Sequence, residues 1–109
     1  MDLKDFVKII KSVGIPYARA VFEKKQSLPY IIFLDDNFEG MHANGKRTGQ
    51  NVSVTVELYT KTSDMQSEKK LETALKAAGL TYEKSERIIN EEEHYLLTYY
   101  YMNFYEREE

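Results

Sequence analysis

Apolar and polar residues alternate with a period of two through the middle of the chain. The apolar positions are Val52, Val54, Val56 and Leu58, and the polar positions between them are Ser53, Thr55 and Glu57. A period of two places one set of side chains on each face of a strand. The pattern therefore predicts a half-buried strand over residues 52–61, typical of an antiparallel sheet with one solvated face.

The period changes to that of a helix over residues 64–79. The apolar residues with i, i+3, i+4, i+7 spacing are Leu71, Ala74, Leu75 and Ala78. This spacing gives a helix a single apolar stripe. Ser63 and Gln66 are spaced as a capping box, in which two side chains satisfy unpaired N–H groups of the first turn. Gly79 follows the stripe and predicts a left-handed C-terminal cap.

A second helix is predicted at the start of the chain, over residues 2–13. Its apolar face consists of Leu3, Phe6, Val7 and Ile10. Asp2 has the side chain of an N-cap. Gly14 is expected to end the helix, and Pro16 cannot continue it.

Four further stretches have strand character. Residues 17–23 predict a short first strand, and the aromatic and β-branched run 29–34 predicts a central strand that is apolar on both faces. The polar stretch 81–89 predicts an edge strand. Residues 94–105 predict a long tyrosine-rich strand with two distinct faces.

The element order α-β-β-β-α-β-β predicts an α+β fold. We expect an antiparallel or mixed sheet of about five strands with both helices packed on one face. The 109 residues fit a single domain. We further expect residues 35–50 to project from the sheet, and the charged residues 106–109 to fray.

The projecting stretch 35–50 is the first candidate interface. It holds three of the five glycines and keeps no helical period. It is predicted either as a long loop or as an extended hairpin with Asn44-Gly45 at its tip, and a tolerated surface insertion is the alternative to a functional role. The candidate contact residues in it are Phe38, Met41, Asn44, Gly45, Lys46 and Arg47.

The second candidate interface is the last strand. Five of the nine tyrosines lie between residues 95 and 105. Tyr95, Leu97, Tyr99 and Tyr101 are predicted to share one face, and Leu96, Thr98, Tyr100 and Met102 the other. Tyrosine is enriched at protein interfaces, although it is also a good strand former. We take Tyr95, Tyr99 and Tyr101 as the candidate contact residues.

Composition narrows the classes of function. The chain has no cysteine, which excludes a disulfide framework, a thiolate metal site and a cysteine nucleophile. Its net charge is −3 with the lysines and arginines scattered, so the basic patch of a nucleic-acid-binding protein is lacking. The sequence shows neither a signal peptide nor an apolar run long enough to span a membrane.

No catalytic or cofactor-binding motif stands out. His42 and His94 are the only histidines, and neither has the spacing of a metal-ligand set. The glycines form no phosphate-binding loop, and no Gly-x-Ser-x-Gly elbow is present. We therefore expect neither an enzyme nor a metal, cofactor or small-molecule site.

Four stretches carry a resemblance to a known class of protein. They are residues 27–34 (SLPYIIFL), 43–46 (ANGK), 56–61 (VELYTK) and 70–80 (KLETALKAAGL). The chain resembles, over about residues 3–105, the minor tail or tail-completion proteins of phages and prophages of Gram-positive hosts. Their genes lie in the head-to-tail joining region of long-tailed phages.

This resemblance implies a tail-terminator-like α+β fold and a structural role. Subunits of such proteins form a ring, usually hexameric, that terminates the tail tube and docks it onto the head connector. The implied partners are other copies of the chain, the tail-tube protein and the connector, with DNA only as passing cargo. The implied location is the virion tail or neck, and the host cytoplasm during assembly. The alternative is a mobile-element adaptor that binds one partner protein through the tyrosine-rich strand.

Overall fold

The computed structural model describes residues 1–36 and 49–107 of the chain. The elements, in chain order, are α1 (Leu3–Ser12), β1 (Tyr17–Arg19), β2 (Tyr30–Asp36), β3 (Gly49–Lys61), α2 (Met65–Ala77), β4 (Glu83–Asn90) and β5 (Tyr95–Arg107). The predicted α+β fold and the order α-β-β-β-α-β-β are both confirmed.

The strands form one mixed sheet in the order β1-β2-β3-β5-β4. Only β1 and β2 run parallel, and each other neighbouring pair is antiparallel. The longest ladder joins β3 to β5, which are paired from Gly49 with Arg107 to Lys61 with Tyr95. The strand predicted from the alternating pattern thus lies at the centre of the sheet.

Both helices bury their apolar stripes against the same face of this sheet. Phe6 and Ile10 of α1 and Leu71 and Leu75 of α2 are fully buried. They belong to one core cluster with the alternate residues of the three central strands: Ile31, Phe33, Val52, Val54, Val56, Leu58, Tyr100, Met102 and Phe104. This face of the sheet is called the covered face below.

The ends of α1 follow the sequence prediction closely. Asp2 is the N-cap, and its side chain forms a reciprocal capping box with Asp5. The hydrogen bond from the Asp5 backbone N–H lowers the pKa of the Asp2 carboxyl below its ordinary value. Gly14 then adopts a φ of 82°, which an L side chain rarely adopts.

The predicted capping box at the start of α2 is wrong. The N-cap is Asp64 and not Ser63: the Asp64 carboxylate accepts hydrogen bonds from the backbone N–H and the hydroxyl of Ser67. A carboxylate one residue closer to the helix reaches these donors and also complements the positive end of the helix dipole. The predicted C-terminal end is confirmed, because Gly79 has a φ of 77°.

Several strand limits also differ from the predictions. The first strand covers only Tyr17–Arg19 and not 17–23, because the chain leaves the sheet at Ala20, where φ is 66°. β5 continues through Arg107, so Glu106 and Arg107 do not belong to a frayed tail. The Glu106 carboxylate accepts a hydrogen bond from the Leu3 N–H, at 3.1 Å.

The predicted projecting stretch 35–50 begins and ends inside the sheet. Its first two residues belong to β2 and its last two to β3, and β2 and β3 pair antiparallel as the arms of a hairpin would. The remainder, residues 37–48, lies outside the described residues, as does the end of the chain, 108–109.

Candidate interaction surface

The second face of the sheet carries the candidate surface. Its side chains include outward-pointing residues of β2, β3 and β5, namely Tyr30, Ile32, Leu34, Thr55, Glu57, Tyr59, Tyr95, Leu97, Tyr99 and Tyr101. Both helices pack on the opposite side, and all of these residues except Leu97 remain half-buried or exposed. We call this set the open face. It is largely apolar and aromatic, with Thr55 and Glu57 among the rings, whereas the solvated face of an antiparallel sheet is ordinarily polar.

One half of the open face is built on a cross-strand tyrosine pair. Tyr30 of β2 lies opposite Tyr59 of β3, and their rings stack with centroids 4.6 Å apart. The Tyr59 hydroxyl donates to Glu57 Oε1 at 2.8 Å. Burial, reinforced by this carboxylate, raises the pKa of Tyr59 well above that of an ordinary tyrosine, and the pKa of Tyr30 is raised for the same two reasons. Both phenols therefore stay neutral at physiological pH.

The other half of the open face contains the tyrosines of β5 that the sequence predicted as contact residues. Tyr99 and Tyr101 stack with centroids 5.8 Å apart and an interplanar angle of 12°. Tyr101 is 44% exposed. Tyr95 is the first residue of the same strand, and the ammonium nitrogen of Lys61 lies 4.7 Å from the centroid of its ring. The predicted division of β5 into two faces is correct, and Tyr95, Tyr99 and Tyr101 share the open one.

A groove of about 750 Å³ crosses one end of the open face. Its floor includes Tyr30, Ile32 and Tyr59, and its walls carry Phe22 on one side and Ile89 on the other. Phe22 meets the ring of Tyr30 edge to face at 5.5 Å. Lysine side chains, Lys25 and Lys61, also line the groove, and none of its described lining residues carries a carboxylate. The groove can thus accommodate apolar side chains of a partner together with a nearby acidic group.

Sequence reasoning missed Phe22, Tyr30, Ile32 and Tyr59 as members of this surface. The signal that would have found Tyr30 and Ile32 is the run 30–34, which is apolar at every position. Phe22 and Tyr59 join the surface through ring contacts with Tyr30, which no local pattern encodes. Two helices cover one face of a five-stranded sheet, so a strand that is apolar on both faces leaves one set of apolar side chains on the face without helices.

The other candidate interface residues lie outside the part of the chain that the structure describes. They are Phe38, Met41, Asn44, Gly45, Lys46 and Arg47. Their role in an interface stays a prediction.

A polar network joins α2 to the far edge of the sheet on the covered side. The hydroxyls of Tyr100 and Tyr82 donate to the two carboxylate oxygens of Glu72, at 2.8 and 3.1 Å. Lys84 of β4 pairs with Glu72 at 2.8 Å and with Glu68. Every member has a partner inside the network, so this arrangement is suited to holding the helix on the sheet.

The pKa shifts in this network agree with that role. Burial opposes the charge of Glu72, but the hydrogen bonds from Lys84, Tyr100 and Tyr82 outweigh it and lower the pKa of the carboxyl. Burial, followed by the hydrogen bond to Glu72, raises the pKa of the fully buried Tyr100 far above its ordinary value. The network therefore keeps the Glu72 carboxylate charged and the phenols of Tyr100 and Tyr82, whose pKa values are both raised, neutral at physiological pH.

The histidines do not change this picture. His94 is exposed, in the turn between β4 and β5, and His42 lies outside the described residues. Within residues 1–36 and 49–107, no cluster of three or more His, Asp or Glu side chains could hold a metal ion. None of the helices in these ranges has the length and apolar character needed to span a membrane.

Comparison of the chain with family models, with curated proteins and with solved structures gives no match. The resemblance to phage tail proteins consequently remains a prediction from the sequence motifs.

Proposed function

We propose that this protein is a structural assembly subunit, whose copies form a ring that terminates or completes a phage tail and docks it to the head connector. The observation that carries the proposal is the open face, an aromatic sheet surface that neither helix covers. Stacked tyrosine pairs present large, rigid contact area with a polar hydroxyl at the rim. The resemblance of four sequence stretches to tail-completion proteins selects the phage tail among possible assemblies.

The chemistry of the open face favours protein contact over catalysis. On the open face, Tyr30 and Tyr59 have raised pKa values and are neutral and stacked, so neither is an activated nucleophile or base. Contiguous apolar groups on a protein surface commonly mark an interaction site. In this proposal the open face binds the tail tube or the connector, and the chain has no substrate and no cofactor.

The experiment compares the solution mass and tail binding of two variants. Light scattering over a concentration series, at low and moderate salt, gives the mass of the wild-type protein. A pull-down with purified tail-tube protein measures docking. Tyr99→Ser with Tyr101→Ser removes aromatic area from the open face. Met65→Ser removes an exposed apolar side chain from the start of α2 and serves as the matched control.

We expect the wild-type protein and the Met65 variant to assemble into a closed hexamer and bind the tail tube, and the double tyrosine variant to lose tail-tube binding. Retention of binding by a folded double variant would contradict the role of the open face. Failure of the wild-type protein to bind any tail component would contradict the phage-tail assignment.

The second candidate is an adaptor that binds one partner protein. The groove at the end of the open face favours it, because about 750 Å³ accommodates several side chains of a single docked segment. A monomer at every concentration, together with stoichiometric binding of one protein that the tyrosine variant abolishes, would select this candidate.

A further inference from the structure

The two edges of the sheet differ in chemistry. At one end is the acidic edge, which we define as β4 with the turn that follows it, residues 83–93. At the other is the basic edge, residues 17–28, consisting of β1 and the segment after it. Neither β1 nor β4 has a second neighbouring strand in the described part of the chain. An unpaired strand edge offers backbone N–H and C=O groups to another chain.

The strand of the acidic edge is exposed to solvent along its whole length. All eight residues of β4 are exposed, among them Ile88 at 56%. Edge strands are commonly protected by brevity, proline or a covering element. β4 is not short, has no proline and is not covered within the described residues, and its protection consists of charged side chains and a bulge between Ile88 and Asn90. A strand that pairs with it must therefore complement its charges.

The charges of the two edges are complementary. The acidic edge carries five glutamates, Glu83, Glu86, Glu91, Glu92 and Glu93, against two basic residues, Lys84 and Arg87, and Lys84 already pairs with α2. The basic edge carries Arg19, Lys24 and Lys25 against Glu23, and Arg19 already pairs with Asp35 of β2 at 2.7 Å. Lys24 and Lys25 therefore supply the available positive charge. Each edge also exposes an apolar side chain, Ile88 on one and Val21, at 72%, on the other.

Strand direction allows the two edges to pair. β1 runs parallel to β2, and the three antiparallel steps from β2 through β3 and β5 to β4 reverse the direction. β4 therefore runs opposite to β1 within one sheet. A second copy placed beside the first in the same orientation brings its β1 antiparallel to the first copy's β4.

A symmetric pairing of β4 with its own copy is less favourable. A two-fold axis through an antiparallel strand pair must place one residue directly opposite itself, because hydrogen-bonded and non-hydrogen-bonded pairs alternate along the ladder. At the middle of β4 this residue is Glu86 or Arg87. Like charges directly opposite each other destabilise a strand pair. The charge pattern thus disfavours the isologous dimer.

We infer that copies of this chain associate head to tail, with the acidic edge of one copy docked on the basic edge of the next. The inference rests on the proposed assembly role and names the surfaces through which the copies meet. Such a heterologous contact closes into a ring when each step adds a rotation. It also leaves the stacked Tyr99 and Tyr101 of the open face free for a different partner.

Thiol cross-linking tests the contact directly, because the chain contains no cysteine. Val21→Cys and Ile88→Cys each place one thiol on one edge. A short bismaleimide is added to each variant alone and to their mixture, at the highest concentration that the protein tolerates. We expect the mixture to give cross-linked dimer at least tenfold above either variant alone. The variant with both cysteines should give a ladder of multimers.

Cross-linking of either single variant as efficient as that of the mixture would show a symmetric or random contact and overturn the inference. Absence of cross-linked dimer from the mixture would overturn it as well. Far-ultraviolet circular dichroism confirms that both variants are folded, which their exposed positions favour.

Charge reversal separates this contact from nonspecific proximity. Two double variants are compared. In Lys24→Glu with Lys25→Glu, both edges are acidic. In Glu91→Lys with Glu92→Lys, both edges are basic. We expect each double variant alone to lose self-association about tenfold or more, since like charges then meet at every contact. A mixture of the two restores it, because each edge then meets an opposite charge on the other variant. No recovery in the mixture would overturn the charge-complementary contact.

The outcomes distinguish the inference from the proposed function. A hexamer by light scattering without edge-to-edge cross-linking would leave the ring proposal standing and remove this contact. Edge-to-edge cross-linking by a protein that binds no tail component would establish the contact and remove the phage-tail role.

Discussion

Aromatic side chains form part of the core on the covered face of the sheet and part of the candidate interaction surface on its open face. On the covered face, the ring of Phe6 lies 5.7 Å from that of Phe104 and 6.0 Å from that of Phe33, and all three are buried. On the open face, Tyr99 stacks on Tyr101, which remains 44% exposed. Alternate residues of β5 contribute side chains to the two faces. The difference is the presence of helices, so aromatic content alone does not separate core from interface.

The largest expected loss of stability comes from a substitution in the core on the covered face. Phe6→Ala should lower the free energy of unfolding by about 3–5 kcal/mol, because it leaves a cavity among Phe33, Phe104 and the sheet. Tyr101→Ala on the open face should cost less than about 1 kcal/mol. Chemical denaturation of both variants gives the two values. Equal losses would mean that the open face is also part of the stabilising core.

A smaller loss of stability is expected when the polar network beside the covered face is disrupted. Glu72→Gln should lower stability at neutral pH by about 1–2 kcal/mol, because Lys84 loses one of its charged partners and keeps Glu68. The pKa of Glu72 is lowered in the folded state, so its contribution is present above the ordinary glutamate pKa of about 4.3 and is lost as the pH falls through the lower folded value. The difference between wild type and variant should therefore shrink in acid.

Denaturation at several pH values measures that difference. Glu92→Gln, in the exposed turn, is the control and should change stability by less than about 0.5 kcal/mol. A gap between wild type and the Glu72 variant that stays constant into acid would show that charge is not what Glu72 contributes.

The smallest effect concerns the helix that covers the sheet. Asp64→Ala should cost about 1 kcal/mol, because two donors of Ser67 lose their acceptor. Ser63→Ala, one residue earlier, should have little effect. Thermal unfolding measures the stability lost in each variant. A larger loss in Ser63→Ala than in Asp64→Ala would show that Ser63 is the N-cap.

Local patterns predicted the elements of the fold well. Asp2, Gly14 and Gly79 mark helix ends through interactions within a few residues, and the alternation over residues 52–58 specifies which side of β3 is buried. The N-cap of α2 was misplaced because Ser63 and Asp64 both have capping side chains, and only the local backbone decides which one reaches Ser67.

The candidate surface was less accessible to sequence reasoning. Tyr95, Tyr99 and Tyr101 could be grouped because they belong to one strand. Tyr30 and Tyr59 are 29 positions apart and meet only through the β2–β3 register. Residues on separate strands become neighbours through long-range pairing, which no local period encodes. The same reasoning applies to the two sheet edges, whose opposite charges are visible in the sequence but whose placement is not.

The β3–β5 ladder gives the molecule a mechanical direction. Thirteen residues of each strand are paired without interruption, a length of about 43 Å at about 3.3 Å per residue. Its hydrogen bonds lie perpendicular to the strands. A force along the strands loads the whole ladder in shear and must break many bonds together, whereas a force across them opens the ladder from one end, bond by bond. The subunit is therefore stiff along one axis and compliant across it.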